Sequence, residues 1–424
     1  MDNLSHALGK RFLKSYDKFQ HESFCMAPFN QIYIGRDGDV RTCCFTRNNI
    51  GNLYNQKLDK IINDKEAVEI RNSMMNKKDH YNCDSCVKYR QKTGLQNNVQ
   101  TFSNDWVNFS NMVTNLHKLD DTAKDIDNLL LNCKDGRLHE QHPIFLDILV
   151  SNKCNFACIG CNGELSSTIR DNYNTITNLV NEHKSYGPNW EGDIDPIIEY
   201  ILEHKDSIKV LHLNGGEPFM QHQFHKLLQA LIDEKLCDKI TIWSHTNGHI
   251  TSYKGVDIVE KYLSHWQNNL LIVMSHDHFG KRGNYVRFPY QDKKWLHNYN
   301  RLKEIGQVDI QSGYNIFNAL TIDKQNEWYK QNNIDTIVHY NPWHSPFCYT
   351  AFMLQKFPNL YAKAIEKLEQ IQDNNLLQNI NADTSKHNLN ELHDKFVKSI
   401  SMWDKKRNTN FVETFPELEE IYSN

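Results

Sequence analysis

From about residue 136, short apolar runs alternate with stretches whose apolar residues recur every three or four positions. The runs predict strands over 144–150, 208–213, 240–243, 270–275, 308–314 and 336–340. Between them, the helical period predicts helices over 165–183, 223–236, 256–263, 293–305 and 325–331. Strand-helix alternation implies βα units and a parallel sheet. Six such units give an α/β fold of the partial (β/α)6, TIM-like kind rather than a closed eight-stranded barrel. This barrel is expected over residues 136–341.

The flanking regions differ in pattern. Within residues 1–135, two short apolar segments flank Asp37-Gly38, a turn signal for a β-hairpin over 31–43. A helix is expected over 58–75, and a polar, helical linker over 98–140. The small module is therefore α+β. Residues 342–424 read as a helical extension, with helices over 361–372 and 389–403 and an Asn-rich surface loop over 374–388.

Composition narrows the class. The chain has 424 residues, 39% hydrophobic and 24% charged, enough to bury a core without covalent staples. Its 48 basic and 52 acidic residues give a net charge of −4, so no nucleic-acid partner is expected. No apolar run approaches the roughly 18 residues needed to span a bilayer, and the first residues show no export signal. No membrane association and a cytoplasmic location are expected. In that compartment the 11 cysteines point to metal or catalysis rather than disulfides.

The densest chemistry lies just after the first barrel strand. Cys154, Cys158 and Cys161 form a C-x3-C-x2-C loop. Close thiolates let one loop wrap one soft metal centre. A protein-ligated [4Fe–4S] cluster uses four Cys; three leave one iron open to a small chelating ligand. A structural zinc site needs a fourth ligand to close it, and Asn162, Gly163 and Glu164 follow instead. At the end of the second strand comes Gly215-Gly216-Glu217-Pro218. Its glycines allow close backbone approach, and its carboxylate suits an ammonium group.

These two motifs, in this order, resemble the cluster loop and the GGEP motif of radical S-adenosylmethionine (SAM) enzymes. Further partial matches follow: Thr246-Asn247-Gly248, Ser275-His276-Asp277, and Tyr285-Val286-Arg287, with Asn315 a weaker candidate. The resemblance implies that Gly215, Gly216, Glu217 and Pro218 meet the SAM amino group. It implies Asn247, Ser275 and Asp277 as further SAM contacts and Arg287 as partner of the SAM carboxylate. His278 replaces a frequent Gly, which puts the local loop in doubt. His276 and His278 face either the site or solvent.

The first region adds Cys25, the Asp-Gly hairpin, Cys43-Cys44, Ile50-Gly51-Asn52, and Cys83-x2-Cys86. Four thiolates here suffice for an iron–sulfur cluster or zinc. The order of parts resembles the SPASM/Twitch auxiliary-cluster module of many radical SAM enzymes, placed before the barrel rather than after it. The closing Pro-Glu-Leu segment and Trp403-Asp404-Lys405-Lys406-Arg407 resemble the same group. From that spacing, Cys25, Cys43, Cys83 and Cys86 are the expected ligands. Cys44 remains an alternative to Cys43, since adjacent strand residues point to opposite faces. Cys133, Cys237 and Cys348 are expected to be core thiols, and Phe156 to pack beside the first cluster.

What the resemblance implies is a radical SAM enzyme with a SAM-binding [4Fe–4S] cluster, an auxiliary iron–sulfur cluster expected to be [4Fe–4S], and SAM as cofactor. Such an enzyme cleaves SAM reductively to a 5′-deoxyadenosyl radical that takes hydrogen from substrate. An oxidation or related modification of a small metabolite or peptide is expected, with an electron donor such as flavodoxin or ferredoxin. An electron-transfer or scaffold protein without SAM turnover is the alternative; it leaves Gly215–Pro218 unexplained.

Overall fold

The computed structural model describes residues 23–84, 86–88, 128–139, 142–181, 189, 191–385 and 387–423. The chain opens with an antiparallel meander of β1 (Gln31–Ile34), β2 (Asp39–Arg41) and β3 (Gly51–Asn52). Asp37 and Gly38, with φ of 57° and 75°, make the turn between β1 and β2. The helix expected over 58–75 is two, α1 (Leu58–Ile61) and α2 (Lys65–Met75). The Asp64 carboxylate accepts the Lys65 N–H at 2.6 Å and starts the second. From α2, the buried Arg71 reaches the carbonyls of Pro28, Ile62 and Gly136 and ties the module together.

Residues 98–127 lie outside the described residues. The expected helical linker does not run through 133–138, which forms a hairpin of Cys133–Lys134 with Arg137–Leu138. Asp135 and Gly136, both at positive φ, turn it. The same Asp-Gly chemistry that marked the first hairpin decides this one.

Six parallel strands follow: β4 (Phe145–Leu149), β5 (Val210–Asn214), β6 (Thr241–Thr246), β7 (Leu270–Ser275), β8 (Gln307–Tyr314) and β9 (Val338–Pro342). Each lies beside its predecessor, as expected of a run of βα units. Intervening helices include α3 (Ser167–Asn172), α4 (Asn174–Val180), α5 (Asp195–Glu203), α6 (His222–Asp233), α7 (Asp292–Lys303) and α8 (Ile322–Gln331). The sheet does not close. On the free edge of β4 it takes up β1, parallel, with Gln31 opposite Phe145 and Ile34 opposite Ile148. One nine-stranded sheet, β9-β8-β7-β6-β5-β4-β1-β2-β3, thus joins the N-terminal meander to the six-stranded core.

The C-terminal region is helical: α9 (Pro358–Ile371), α10 (Asn374–Ile380) and α11 (Leu389–Arg407). The surface loop expected over 374–388 is therefore wrong in its first half. Leu376 and Ile380, one helical turn apart, are fully buried. Burying such side chains stabilises by roughly 1.5–3 kcal/mol each, which outweighs the weak helix propensity of the Asn residues around them. Asp373 caps the turn by accepting the Leu376 N–H at 3.1 Å.

Two apolar cores result. The first fills the sheet, its outer helices and the N-terminal module. The second lies among α9, α10, α11 and the segments beneath them. Phe156 belongs to the first core, while Ala157 and Ile159 belong to the second. The cysteine loop between residues 154 and 161 is held where the cores meet.

Candidate functional site

The loop after β4 is shaped by hydroxyl groups from α3. Ser166 caps that helix through the Ile169 N–H and donates to the Phe156 carbonyl at 2.6 Å. Ser167 accepts the Cys154 N–H at 3.1 Å, and Thr168 donates to the Cys154 carbonyl at 2.6 Å. Ala157–Cys158 then forms a short antiparallel pair with Arg287–Phe288. Gly160 is glycine for a local reason: a Cβ there would lie 2.3 Å from the Trp343 ring. Cys154, Cys158 and Cys161 are all partly exposed at the surface they share.

Burial pushes all three thiols up, Cys154 well above its ordinary range and Cys161 to about 12. For Cys158 the nearby guanidiniums of Arg287 and Arg407 oppose that push. Arg287 Nη1 stands 3.8 Å from Cys158 Sγ, and Arg287 Nε pairs with the buried Asp277 at 2.7 Å. Arg407, on the last turn of α11, donates to the carbonyls of Tyr285 and Ala157 and lies 4.0 Å over the Trp403 ring. Three thiolates gathered together need such cationic compensation.

Gly215-Gly216-Glu217 runs directly beneath this loop. A Cβ on Gly216 would sit 2.2 Å from the Lys153 carbonyl oxygen, and the Glu217 N–H donates to that same oxygen at 2.7 Å. Glu217 is completely buried. Its carboxylate accepts from the Thr246 hydroxyl at 2.7 Å, the Asn247 N–H at 2.8 Å and the Phe219 N–H at 3.3 Å. Burial raises its pKa to about 7 against these donors. Asn247 in turn donates to Asn155 in the cysteine loop at 2.8 Å. The carboxylate thus pins the β6 turn to the β5 turn, and the backbone of 215–217 is the part that abuts the loop.

Beside the loop, a cavity of about 500 Å³ opens at the C-terminal ends of the parallel strands. Asn214, His245, Ser275, Gln311 and Asn341 line it, with Arg287, Gly160 and Trp343 on the loop side. Deeper on the same face lie polar residues that alternate with apolar ones along the strands. Asp147 meets His212 at 2.9 Å, His212 stacks on Trp243 at 3.7 Å, and Asp309 meets His339 at 3.1 Å. Burial, with His212 and His339 nearby, lowers the His245 pKa to about 3, so this imidazole is neutral at pH 7.

The N-terminal thiols form a second group. Cys25 feels the charges of Cys43, Cys83 and Cys86, and Cys83 those of Cys43 and Cys86. Burial pushes Cys25 well up, and Cys43 and Cys83 to about 12. Cys44 is more exposed than Cys43. Asn82 shapes the approach to Cys83, accepting the Asn48 N–H at 2.5 Å and the Arg47 N–H at 3.0 Å. A salt bridge of Arg36 with Glu164 at 3.0 Å ties the β1–β2 turn to the residues just after Cys161.

Residues 25–87 match the SPASM iron-sulfur cluster-binding domain. No curated protein matches the chain. Similar solved structures include AdoMet-bound anSMEcpe, 17% identical with a TM-score of 0.37, covering 54% of this chain and 59% of that one. Streptococcus suis SuiB bound to S-adenosylmethionine is 15% identical with a TM-score of 0.37, covering 76% and 67%. SuiB bound to precursor peptide SuiA is 15% identical with a TM-score of 0.36, covering 73% and 64%. The chain thus spans less than two thirds of the anSMEcpe structure and of the SuiB–SuiA structure. Among the described residues, no helix is long and apolar enough to cross a membrane.

Ser275 and Arg287 line the cavity, while Asp277 is buried behind Arg287 and accepts the Gly313 N–H at 2.6 Å. Asn315 is spent on its own turn, bonding the Gly313 carbonyl and the Phe317 N–H. His276 and His278 face neither the cavity nor solvent. His276 is buried between the hydroxyls of Tyr329 and Tyr290, against Trp295 and Trp328. It follows Ser275 on the strand and so points away from the cavity. His278 is buried against the Thr321 hydroxyl at 3.1 Å. Cys133 and Cys348 are buried as expected, whereas Cys237 is only partly so. Phe156 is buried beneath the loop, 4.8 Å from His249.

Sequence reasoning missed His245, Gln311 and Trp343 as cavity residues, and Arg407 as a clamp on the loop. For the strand residues a signal existed. Single polar residues interrupt apolar strands at every second position, as in Val308-Asp309-Ile310-Gln311, which marks one polar face. Trp343 and Arg407 lie far along the chain from the loop they touch and carry no such mark.

Proposed function

We propose that the chain is a radical SAM enzyme that oxidises or otherwise modifies a substrate held in the cavity at the strand ends. The observation that carries the reading is the Cys154, Cys158 and Cys161 loop, seated on the Gly215–Glu217 backbone, with its Gly160 and the Cys158-bound Arg287 lining that cavity. The donor set fits a [4Fe–4S] cluster. Thiols of one zinc ion stand about 3.8 Å apart, whereas these three sulfurs are not gathered within 4.8 Å of one another. Arg287 and Arg407 offset the negative charge of the thiolates. What the cluster with SAM supplies when bound is reductive cleavage of SAM and a 5′-deoxyadenosyl radical that takes a hydrogen atom from substrate.

The protein's own residues have separate tasks in this reading. Cys154, Cys158 and Cys161 hold the cluster. The backbone of Gly215, Gly216 and Glu217, with Pro218 fixing the turn, faces the SAM amino group. Arg287, held by Asp277, faces the SAM carboxylate, with Ser275 beside it and Asn247 positioning the loop from behind. Trp343 closes one side of the cavity against water. His245, neutral, lines the cavity together with the Gln311 and Asn341 amides and suits a polar, uncharged group of a metabolite or peptide. Cys25, Cys43, Cys83 and Cys86 hold a fully ligated auxiliary cluster, which favours net oxidation by giving a substrate electron somewhere to go. A low-potential donor such as flavodoxin or ferredoxin supplies electrons, in the cytoplasm. Domain limits of 1–135, 136–341 and 342–424 go with this reading.

The test is SAM cleavage under reducing, anaerobic conditions. Wild-type protein should release 5′-deoxyadenosine, and Cys158→Ala should release none. Equal release by both would overturn the ligand assignment. His245→Ala should retain SAM cleavage and lose turnover of the true substrate, read as 5′-deoxyadenosine formed without product.

A further inference from the structure

Away from the cysteine loop, at the opposite ends of the strands, three side chains from distant parts of the sequence converge. Asp59 lies on α1 of the SPASM segment. His142 lies just before β4, and His204 ends α5. His204 Nε2 is 2.9 Å from Asp59 Oδ1, and His142 Nδ1 is 3.5 Å from the same oxygen. The two imidazoles are stacked, with centroids 3.6 Å apart and planes 22° from parallel. Among the described residues, this is the one group of His, Cys, Asp and Glu whose ligand atoms all lie within 4.8 Å of one another. We propose that Asp59, His142 and His204 bind one divalent transition-metal ion of the zinc class, which fastens the SPASM segment to the base of the sheet.

Asp147 with His212 forms an ordinary His–Asp pair at the same 2.9 Å; what sets Asp59 apart is a second imidazole on the same carboxylate oxygen. Nitrogen and oxygen ligands about 2.0–2.2 Å from one zinc ion lie about 3.0 Å apart at a right angle and about 3.4 Å apart at the tetrahedral angle. The two observed separations match these, and the stacked rings must turn for both in-plane lone pairs to meet on the ion. Two imidazoles and a carboxylate are an intermediate-softness donor set, suited to zinc, iron(II), cobalt or nickel rather than calcium or magnesium. The side chains of His142, His204 and Asp59 are 20%, 19% and 36% exposed, but Asp59 Oδ1 and His204 Nε2 are shut off from solvent, so an ion enters only as these side chains move apart. The Tyr200 hydroxyl is 3.2 Å from His142 Nδ1; an ion would displace that hydrogen bond and leave the hydroxyl free for a metal-bound water.

The ion would act on docking rather than on SAM chemistry. Beside the apolar core that α1 and α5 share, their surface contacts are the exposed pairs of Lys57 with Glu199 and Glu203, which are of the kind that contributes little. A bound ion stabilises only the docked arrangement that brings the three ligands together.

The test uses protein with its iron–sulfur sites filled, so that no free thiol competes for zinc. Zinc is titrated against a chromophoric chelator, the thermal midpoint is followed, and X-ray absorption at the zinc edge reads the ligands. The expected result is one zinc per chain, a raised midpoint, and a first shell of nitrogen and oxygen with imidazole scattering. His204→Gln and Asp59→Asn should each lose the zinc and the shift while keeping wild-type iron and sulfide. No zinc held by the wild type, sulfur in the zinc shell, or equal uptake by the variants would overturn the proposal. The wild-type titration and absorption data decide the matter even if a variant misfolds.

Discussion

Gly216 shows most directly how a residue sets the site. The Lys153 carbonyl oxygen occupies the space of a Cβ at 2.2 Å, and this neighbour is backbone, which cannot turn aside. Gly216→Ala should therefore displace the cysteine loop and cost about 1–3 kcal/mol, in the range of overpacked sites. Thermal midpoint and iron per chain would both fall; an unchanged midpoint would contradict the packing. Glu217 makes a prediction in pH. Its folded pKa is raised from 4.5 to about 7, so between these values the folded protein holds a proton that the unfolded chain has lost. Stability from this group then falls as pH rises across that window, by at most about 3 kcal/mol, and is flat above it. Comparing the pH dependence of unfolding in cluster-free wild type and Glu217→Gln isolates the effect, because other titrating groups cancel. A difference that does not change with pH would contradict the assignment. At Arg407, lysine cannot serve both the Tyr285 and Ala157 carbonyls. Arg407→Lys should destabilise by about 1–3 kcal/mol, the cost of a buried carbonyl left unpaired.

Elements were legible in the sequence where local chemistry alone decides them. The six parallel strands lie within a few residues of their apolar runs, and the Asp37-Gly38 turn carries its own signal, whereas the same signal at Asp135-Gly136 was not read. Cap chemistry was harder to see. Asp64 divides a helix that its apolar spacing makes continuous, and Tyr173 separates α3 from α4 at a non-helical φ of −130° and ψ of 9°. The Asn-rich α10 was lost because its composition reads as loop while two of its side chains enter a core built by α9 and α11. The chemistry followed the same rule. Cys154, Cys158 and Cys161 are close in sequence, and so were read at once. Asp59, His142 and His204 are far apart and meet only through the packing of α1 on α5. Arg36 with Glu164 links the β1–β2 turn to the cysteine loop, yet the pair is 23% and 33% exposed and should contribute less than about 1 kcal/mol. Arg36→Ala should shift the thermal midpoint little; a large loss of stability would give that contact a weight the account denies it.

Over the whole molecule, the continuity of the sheet matters most. β1 is hydrogen-bonded to β4 in register, and one apolar core contains Ile32 and Ile34 together with Leu146 and Ile148. The SPASM segment and the parallel strands should unfold together. Hydrogen exchange should find the amides of β1 protected to the same degree as those of β4; β1 exchanging by separate local opening would contradict a shared core. This continuity also fixes the N-terminal thiols relative to the cysteine loop, as electron transfer between the two proposed clusters would require.

The most direct test of the central claim is iron and sulfide analysis of anaerobically reconstituted protein, combined with electron paramagnetic resonance of the reduced form with and without SAM. The account predicts about eight iron per chain, from two [4Fe–4S] clusters. SAM should perturb the signal of one cluster only. That signal should survive Cys86→Ala and vanish in Cys158→Ala. Protein that takes up no iron, or reduced clusters whose spectrum SAM leaves unchanged, would contradict it.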